Sequence, residues 1–308
     1  MKHYTVMKNE SIDGLNIKED GIYVDCTLGY AGDSQEILKR VKKGYLFAFD
    51  QDINAINWSS KVLGDIGKNF EIIKSNFLYM KQELQKRNIN EVDGILFDLG
   101  VSSPQLDDVE RGFSYHNDAR LDMRMDQSQE FSCYELVNTY TEQKLADIIF
   151  RYGEEKYARS IAKNIVKARK DKPIETTFEL VDIIKRSMPV KDTLNKHPAR
   201  RTFQALRIEV NHELDILEES LKNALSMLKL NGRLVVISFH SLEDKIVKDV
   251  FTEASEVDKI FRGMPFIPVE YQPNFKIINK KVIVASDNEL EENNRSRSAK
   301  LRIIERIK

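Results

Sequence analysis

The first hundred residues alternate short β-rich runs with helical patterns, and this alternation restricts the chain to a parallel sheet covered by crossover helices. The runs fall at 22–25, 45–49, 70–73 and 94–97. Between the first two, Asp33 and Glu36 predict a capping-box helix start, with Ile37, Leu38 and Val41 as the apolar face and Gly44 as the stop. Between the second and third, Asp52 is placed to cap a helix carrying Ala55, Ile56 and Val62.

The alternation then stops. From about residue 106 to 230 there is no strand run, although a crossover needs only about a dozen residues. An inserted helical domain is expected there. Within it, Thr176 and Glu179 predict a capping box for a helix through Phe178, Leu180, Ile183 and Ile184 that Pro189 closes. Leu206, Val210, Leu214, Leu217, Leu221, Leu225 and Leu228 recur at helical spacing and predict one long helix ended by Asn231-Gly232. A fifth strand is expected at 234–238 and final strands at 281–285 and 301–307, with the acidic segment 287–294 an exposed loop between them. The fold class is therefore α/β, a doubly wound sheet formed by residues 1–105 and 215–308, interrupted by an all-helical domain at 106–214.

Composition narrows the function. The 308 residues are 41% hydrophobic and 31% charged, in the range of folded chains. A formal net charge of -1 excludes a protein that wraps nucleic acid with its whole surface, but not a local basic patch. Lys156, Arg159, Lys163, Lys167 and Lys170 recur at three- and four-residue intervals and supply one, or else a solvated stripe. Residues 1–10 lack the apolar stretch of a signal peptide, and no apolar run approaches the length of a membrane span. Cys26 and Cys133 lie far apart, giving neither a disulfide framework nor metal-ligand spacing, and His3, His116, His197 and His212 are isolated. A cytoplasmic protein without a structural metal is expected.

In an open parallel sheet, ligands bind beyond the carboxyl ends of the strands. After the first strand comes Asp25-Cys26-Thr27-Leu28-Gly29-Tyr30-Ala31-Gly32-Asp33, whose glycines permit a tight turn and close approach to a ligand. Asp50 ends the second, where a carboxylate can accept both hydroxyls of an adenosine ribose. Asn76 and Phe77 follow the third, with an aromatic ring that can pack on a purine. Asp98 follows the fourth, ahead of Ser102, Ser103 and Gln105. Each residue alone is also an ordinary turn or cap. A nicotinamide dinucleotide site would need Gly-x-Gly-x-x-Gly, whereas this turn has Gly29 and Gly32 only, and Asp33 would repel a pyrophosphate. The same carboxylate could attract the ammonium group of a sulfonium amino acid.

Four blocks are distinctive: DGILFDLGVSSPQLDDVERGFSYHNDARLDMRMD (93–126), RYGEEKYARSIAKNIV (151–166), HPARRTFQALRIEVNHEL (197–214) and VISFHSLEDKIVK (236–248). They closely resemble the ribosomal RNA small subunit methyltransferase H (MraW) family, and the resemblance runs from His3 to the terminal RSRSAKLRI. It implies a class I, Rossmann-like methyltransferase core with a helical insertion, S-adenosylmethionine as cofactor, and methylation at cytosine N(4) in the decoding region of the small-subunit RNA. The family's cofactor contacts fall on Ala31, Gly32, Asp33, Asp50, Phe77, Asp98 and Gln105. This chain departs from the family's Gly-Gly-His by having Ala31-Gly32-Asp33, which leaves backbone contacts intact and puts a side-chain contact at Asp33 in doubt.

The cytosine amine needs a nearby acceptor for its proton, and the Asp/Asn-Pro-Pro-aromatic loop of many amino methyltransferases is absent. Asp98, Ser102 and Ser103 are the candidates, with backbone carbonyls as rivals. His240 and Ser241 are expected to line the site beyond the fifth strand, with Ser241 and Asp244 opening the next helix. A hydrolase reading of Ser238 to Ser241 lacks the Gly-x-Ser-x-Gly elbow. Arg111, Arg124, Arg200 and Arg201 are candidates for RNA phosphates, or for ion pairs with neighbouring acids. The partner is then small-subunit ribosomal RNA or the 30S particle, against two other classes: a dinucleotide-dependent oxidoreductase and a non-catalytic ribosome-assembly factor.

Overall fold

The computed structural model describes residues 5–193, 197–257, 259–261 and 266–308, so His3 lies outside the described residues. The chain divides into two compact units, Met1–Gly100 with Leu214–Lys308, and Val101–Glu213. Each unit has its own core.

The first unit is built on seven strands: β1 Ile22–Asp25, β2 Tyr45–Asp50, β3 Phe70–Lys74, β4 Val92–Asp98, β5 Leu228–Ser238, β6 Phe275–Ile277 and β7 Lys300–Arg306. They pair in the order β3-β2-β1-β4-β5-β7-β6. The first five run parallel, whereas β7 is antiparallel to β5 and β6. Both faces are covered, as the unbroken apolar runs require. Phe47, Phe49, Ile95, Phe97, Leu234 and Val236 enter one core, and the alternate residues Leu46, Ala48, Leu96, Val235 and Ile237 enter the other. The chain order reverses between β1 and β4, which is where the loops splay.

The second unit has no strand among its described residues, only a single bridge between Arg120 and Thr176. Its main helices are Cys133–Thr139, Glu142–Gly153, Ala158–Ala168, Thr177–Arg186 and Arg200–Asn211. The expected capping box of Thr176 and Glu179 is present, and Ser132 with Glu135 forms another. Ala158, Ile161, Ala162 and Ile165 put one face of their helix into the core, leaving Arg159, Lys163 and Lys167 in solvent. Gly153 sits where two helices approach closely: a Cβ there would lie 2.6 Å from the carbonyl oxygen of Arg201.

Several sequence expectations need correction. The leucine seam is not one helix. It breaks at His212, whose left-handed conformation (φ 52°) caps Arg200–Asn211, and a second helix runs from Leu217–Met227. Leu206 and Val210 belong to the core of the helical unit, while Leu217, Leu221, Leu225 and Leu228 belong to that of the sheet. The periodicity persists because each half buries a leucine face, but in different cores. Residues 281–285 do not form a strand. Asn279 takes their place on the edge of β7, its side chain donating to the Leu301 carbonyl at 2.9 Å and accepting from the Ile303 amide at 2.7 Å. Ile283 adds one bridge to Leu301, and the sheet is extended by β6 instead.

The acidic segment is not a loop either. Ser286 caps a helix Asp287–Glu292 whose first-turn acids, Asp287 and Glu289, suit the positive end of its dipole. The helix after β1, Gly32–Arg40, has Ala31 rather than Asp33 at its cap and no side-chain cap bond. The helix after β5, Ser241–Ser255, is capped one residue earlier than expected, by His240 with Glu243. Among the described residues, no helix is long and apolar enough to cross a membrane.

Candidate active site

The carboxyl edge of β1, β2 and β4 concentrates buried acid. Asp25, at the end of β1, is 1% exposed; it accepts from the Thr27 amide at 3.0 Å and from the Ser34 hydroxyl at 2.6 Å. Burial raises its pKa, and those hydrogen bonds oppose the rise. Asp50, at the end of β2, accepts from the amides of Gly29 (2.7 Å) and Asp52 (2.8 Å), one on each oxygen. A carboxylate has lone pairs beyond these for a ligand hydroxyl. Burial is the main reason its pKa stands at about 6.

The loop between these strands is shaped to approach a ligand. Gly29 and Ala31 both have left-handed backbones, at φ 47° and 63°. The Ser59 hydroxyl holds the Gly29 carbonyl at 2.8 Å. Asp33 then enters the helix buried and accepts from the Ser11 hydroxyl at 2.9 Å. Burial first, and the nearby Asp25 second, push its pKa up to about 8.

Asp98 completes the group. Its amide donates to Thr27 Oγ1 at 2.7 Å, which ties the ends of β1 and β4 together. Its Oδ1 is buried and has no hydrogen-bond partner among the described residues. Burial, followed by the charges of Asp33, Asp25, Glu243 and Glu289, drives its pKa well above the usual carboxylate range. Beyond β3, Asn76 caps the short turn Phe77–Tyr79, and Phe77 meets Phe97 edge-on with ring centroids 5.4 Å apart. An aromatic face is thus held near the same sheet edge.

Crowded carboxylates with an unpartnered oxygen suit a cation, and the sulfonium and ammonium of S-adenosylmethionine are cationic. Gly29, Asp50 and Phe77 fit its nucleoside: close backbone, hydroxyl acceptor and ring. The first unit therefore holds Ala31, Gly32, Asp33, Asp50, Phe77 and Asp98 at adjoining strand ends. Gln105, Ser102 and Ser103 belong to the second unit, where Ser102 and Gln105 form the capping box of the helix Ser103–Asp107. The Ser102 oxygen accepts from the Gln105 amide at 3.4 Å, and Gln105 Oε1 accepts from the Ser102 amide at 3.0 Å.

The remaining candidates divide by what they touch. His240 Nδ1 accepts from the Glu243 amide at 3.4 Å, so the ring acts first as a helix cap, just past the end of β5. Ser241 is exposed at the first position of that helix, and Asp244 pairs instead with Lys300 and Arg302 of β7. Arg111 is 3% exposed and donates to the carbonyls of Arg124 and Met125, which corrects its assignment to phosphate. Arg124 is committed to both oxygens of Asp122. Arg200 and Arg201 remain exposed.

Sequence reasoning passed over Ser11, Thr27 and Ser34, the hydroxyls that hold these acids. It also missed Glu243 and Glu289, whose charges act on Asp98. Thr27 and Ser34 stand two and nine residues after Asp25 and could have been suspected. Ser11, Glu243 and Glu289 are distant in sequence and carry no local signal.

A mixed sheet with an antiparallel seventh strand, a glycine turn after β1 and acids ending β2 and β4 define a class I, S-adenosylmethionine-dependent methyltransferase. The chain belongs to the MraW methylase family, whose model matches residues 1–307. It is 54% identical over 308 residues to the ribosomal RNA small subunit methyltransferase H of Exiguobacterium sibiricum, covering 100% of this chain and 99% of that one. It is 51% identical over 312 residues to the protein so named from Lactobacillus delbrueckii subsp. bulgaricus, covering 99% of each. Among solved structures, an rRNA methylase from Streptococcus thermophilus aligns with TM-score 0.46 and 12% identity, over 97% of this chain and 95% of that one.

Proposed function

We propose that this enzyme methylates the exocyclic N(4) amine of a cytidine in the decoding region of 16S ribosomal RNA, acting in the cytoplasm on the RNA or the 30S particle. S-adenosylmethionine supplies a methyl group already activated by its sulfonium, so the protein's main task is alignment. Asp50 takes the ribose hydroxyls, Phe77 the adenine, and the turn through Ala31 and Gly32 the methionine end, with Asp33 beside its ammonium. Gln105 is assigned to the same ligand by its family motif.

The observation that carries this reading is the buried, unpartnered Oδ1 of Asp98. An acceptor oxygen left without a donor in a folded core costs about 1–3 kcal/mol, so its retention points to a ligand donor. Asp98 is the leading acceptor for the amine proton. Ser103 remains a candidate, whereas the Ser102 oxygen is already engaged in its helix cap. The helical unit is assigned to RNA. Arg159, Lys163 and Lys167 are exposed along one face of their helix and Lys170 is exposed just beyond its end; none of the four has an ion pair among the described residues, while Lys156 is paired with Asp192 at 3.2 Å.

The test uses purified small subunits that lack the modification, with methyl-labelled S-adenosylmethionine. Label recovered as N(4)-methylcytidine, and lost with Asp98→Ala, is the expected result. Label on carbon 5 of a pyrimidine, or on protein alone, would overturn the assignment.

A further inference from the structure

Three rings gather in the helical unit without serving its hydrophobic core alone. Tyr115 stacks on His197 with centroids 4.4 Å apart and planes 18° from parallel. His116 joins both, 4.5 Å from Tyr115 and 5.3 Å from His197. Phe203 closes the inner side, meeting Tyr115 edge-on at 5.6 Å. His116 is exposed, and Tyr115 and His197 are half-buried.

Three exposed cations accompany the rings: Lys185, whose charge acts on His197, and Arg200 and Arg201, which open the helix that follows. None of the three side chains has an ion-pair or hydrogen-bond partner among the described residues. Elsewhere in this unit, arginines that serve the fold are matched: Arg124 to Asp122 and Arg207 to Glu213. Unmatched guanidinium groups three and four residues along the chain from a stacked ring are a composition that suits unpaired nucleotides, since every base offers a flat face and every linkage a phosphate.

We propose that Tyr115, His116 and His197 form a stacking site for an unpaired RNA base, with Arg200 and Arg201 holding the adjoining phosphates. The inference rests on the RNA substrate proposed above and locates where part of that RNA is held. His197 is suited to stacking. Its Nδ1 accepts from the Ala199 amide at 3.3 Å, which leaves the Nε2 proton to donate. Burial, then His116 and Lys185, lower its pKa, so the ring stays neutral at physiological pH.

The test measures binding of a short fluorescein-labelled oligocytidylate to the full chain by anisotropy, with S-adenosylmethionine binding as the check on folding. His116→Ala should weaken RNA binding about 5- to 100-fold, while His116→Phe, which keeps a stacking face, stays within about threefold of the parent. Replacing Arg200 and Arg201 together by alanine should lower the salt slope of log K by about 1.5. Equal binding by the parent and His116→Ala, or equal loss in His116→Ala and His116→Phe, would overturn the stacking site. A parent protein that methylates small subunits yet gives either result sinks the ring site alone. One that neither binds RNA nor transfers methyl sinks the substrate assignment as well.

Discussion

The amide of Gly29 donates to Asp50 Oδ2 at 2.7 Å, so the turn leaving β1 hangs from the carboxylate that ends β2. One side chain thereby shapes the glycine turn and offers its remaining lone pairs to a ligand. Asp50→Asn keeps one acceptor but sets an amide against the second backbone N–H. S-adenosylmethionine affinity should fall more than about tenfold, with a lower melting temperature, because a charge-assisted bond contributes about 1.5–3 kcal/mol. Calorimetric titration checks this, and an unchanged dissociation constant would remove Asp50 from the site.

Asp98 should show the opposite signs for activity and stability. Its carboxyl is buried among other acids, with one oxygen unpartnered. Asp98→Asn should reduce methyl transfer by at least about 100-fold, the size expected for a lost proton acceptor. Its melting temperature should hold or rise, because the amide cannot ionise and so removes a group whose charged form burial and the neighbouring acids disfavour. A variant that melts earlier while retaining activity would mark Asp98 as structural.

Asp33 gives the protein a pH dependence of predictable sign. Its pKa in the folded chain is about 8, against an ordinary value of 3.8, so the folded state binds this proton more tightly than the unfolded state. The resulting stability is complete below about pH 4 and is lost as pH rises towards 8. Asp33→Asn cannot titrate, and its Oδ1 can still accept from Ser11. The melting temperature of the parent should therefore fall relative to this variant between about pH 4 and 8, as thermal scans at a series of pH values would show. A constant difference would mean that Asp33 titrates normally.

Ala31 is a non-glycine residue at φ 63°. A Cβ in this region is strained by about 1–2 kcal/mol, partly offset because alanine restricts the unfolded chain. Ala31→Gly should stabilise by about 0.5–1 kcal/mol in urea unfolding with unchanged m. Destabilisation would show that packing of the buried methyl outweighs the strain.

Gly153→Ala tests the helical unit. The added methyl would meet the Arg201 carbonyl at 2.6 Å, backbone that cannot swing aside. A loss of about 1–3 kcal/mol is expected from forced overpacking, measured by urea unfolding. No loss would mean that the two helices separate freely.

Much of this molecule could be read from local pattern. The runs that became β1 to β4, the Asp52 cap and the capping box of Thr176 and Glu179 all depend on neighbours a few residues apart. Periodicity and capping are properties of a short stretch, and the sequence displays them directly. The acids at strand ends were visible for the same reason, because a strand end is a place in the chain.

Tertiary structure decided what those acids and arginines do. Asp33 looks like a helix cap in sequence, yet burial beside Asp25 and Ser11 makes it a proton-holding carboxyl. Arg111 looks like a phosphate ligand until folding wraps the carbonyls of residues 124 and 125 around it. The leucine seam reads as one helix because periodicity cannot say which core receives each half. Charge, desolvation and shared packing depend on groups brought together from far along the chain, and only the fold determines which ones meet.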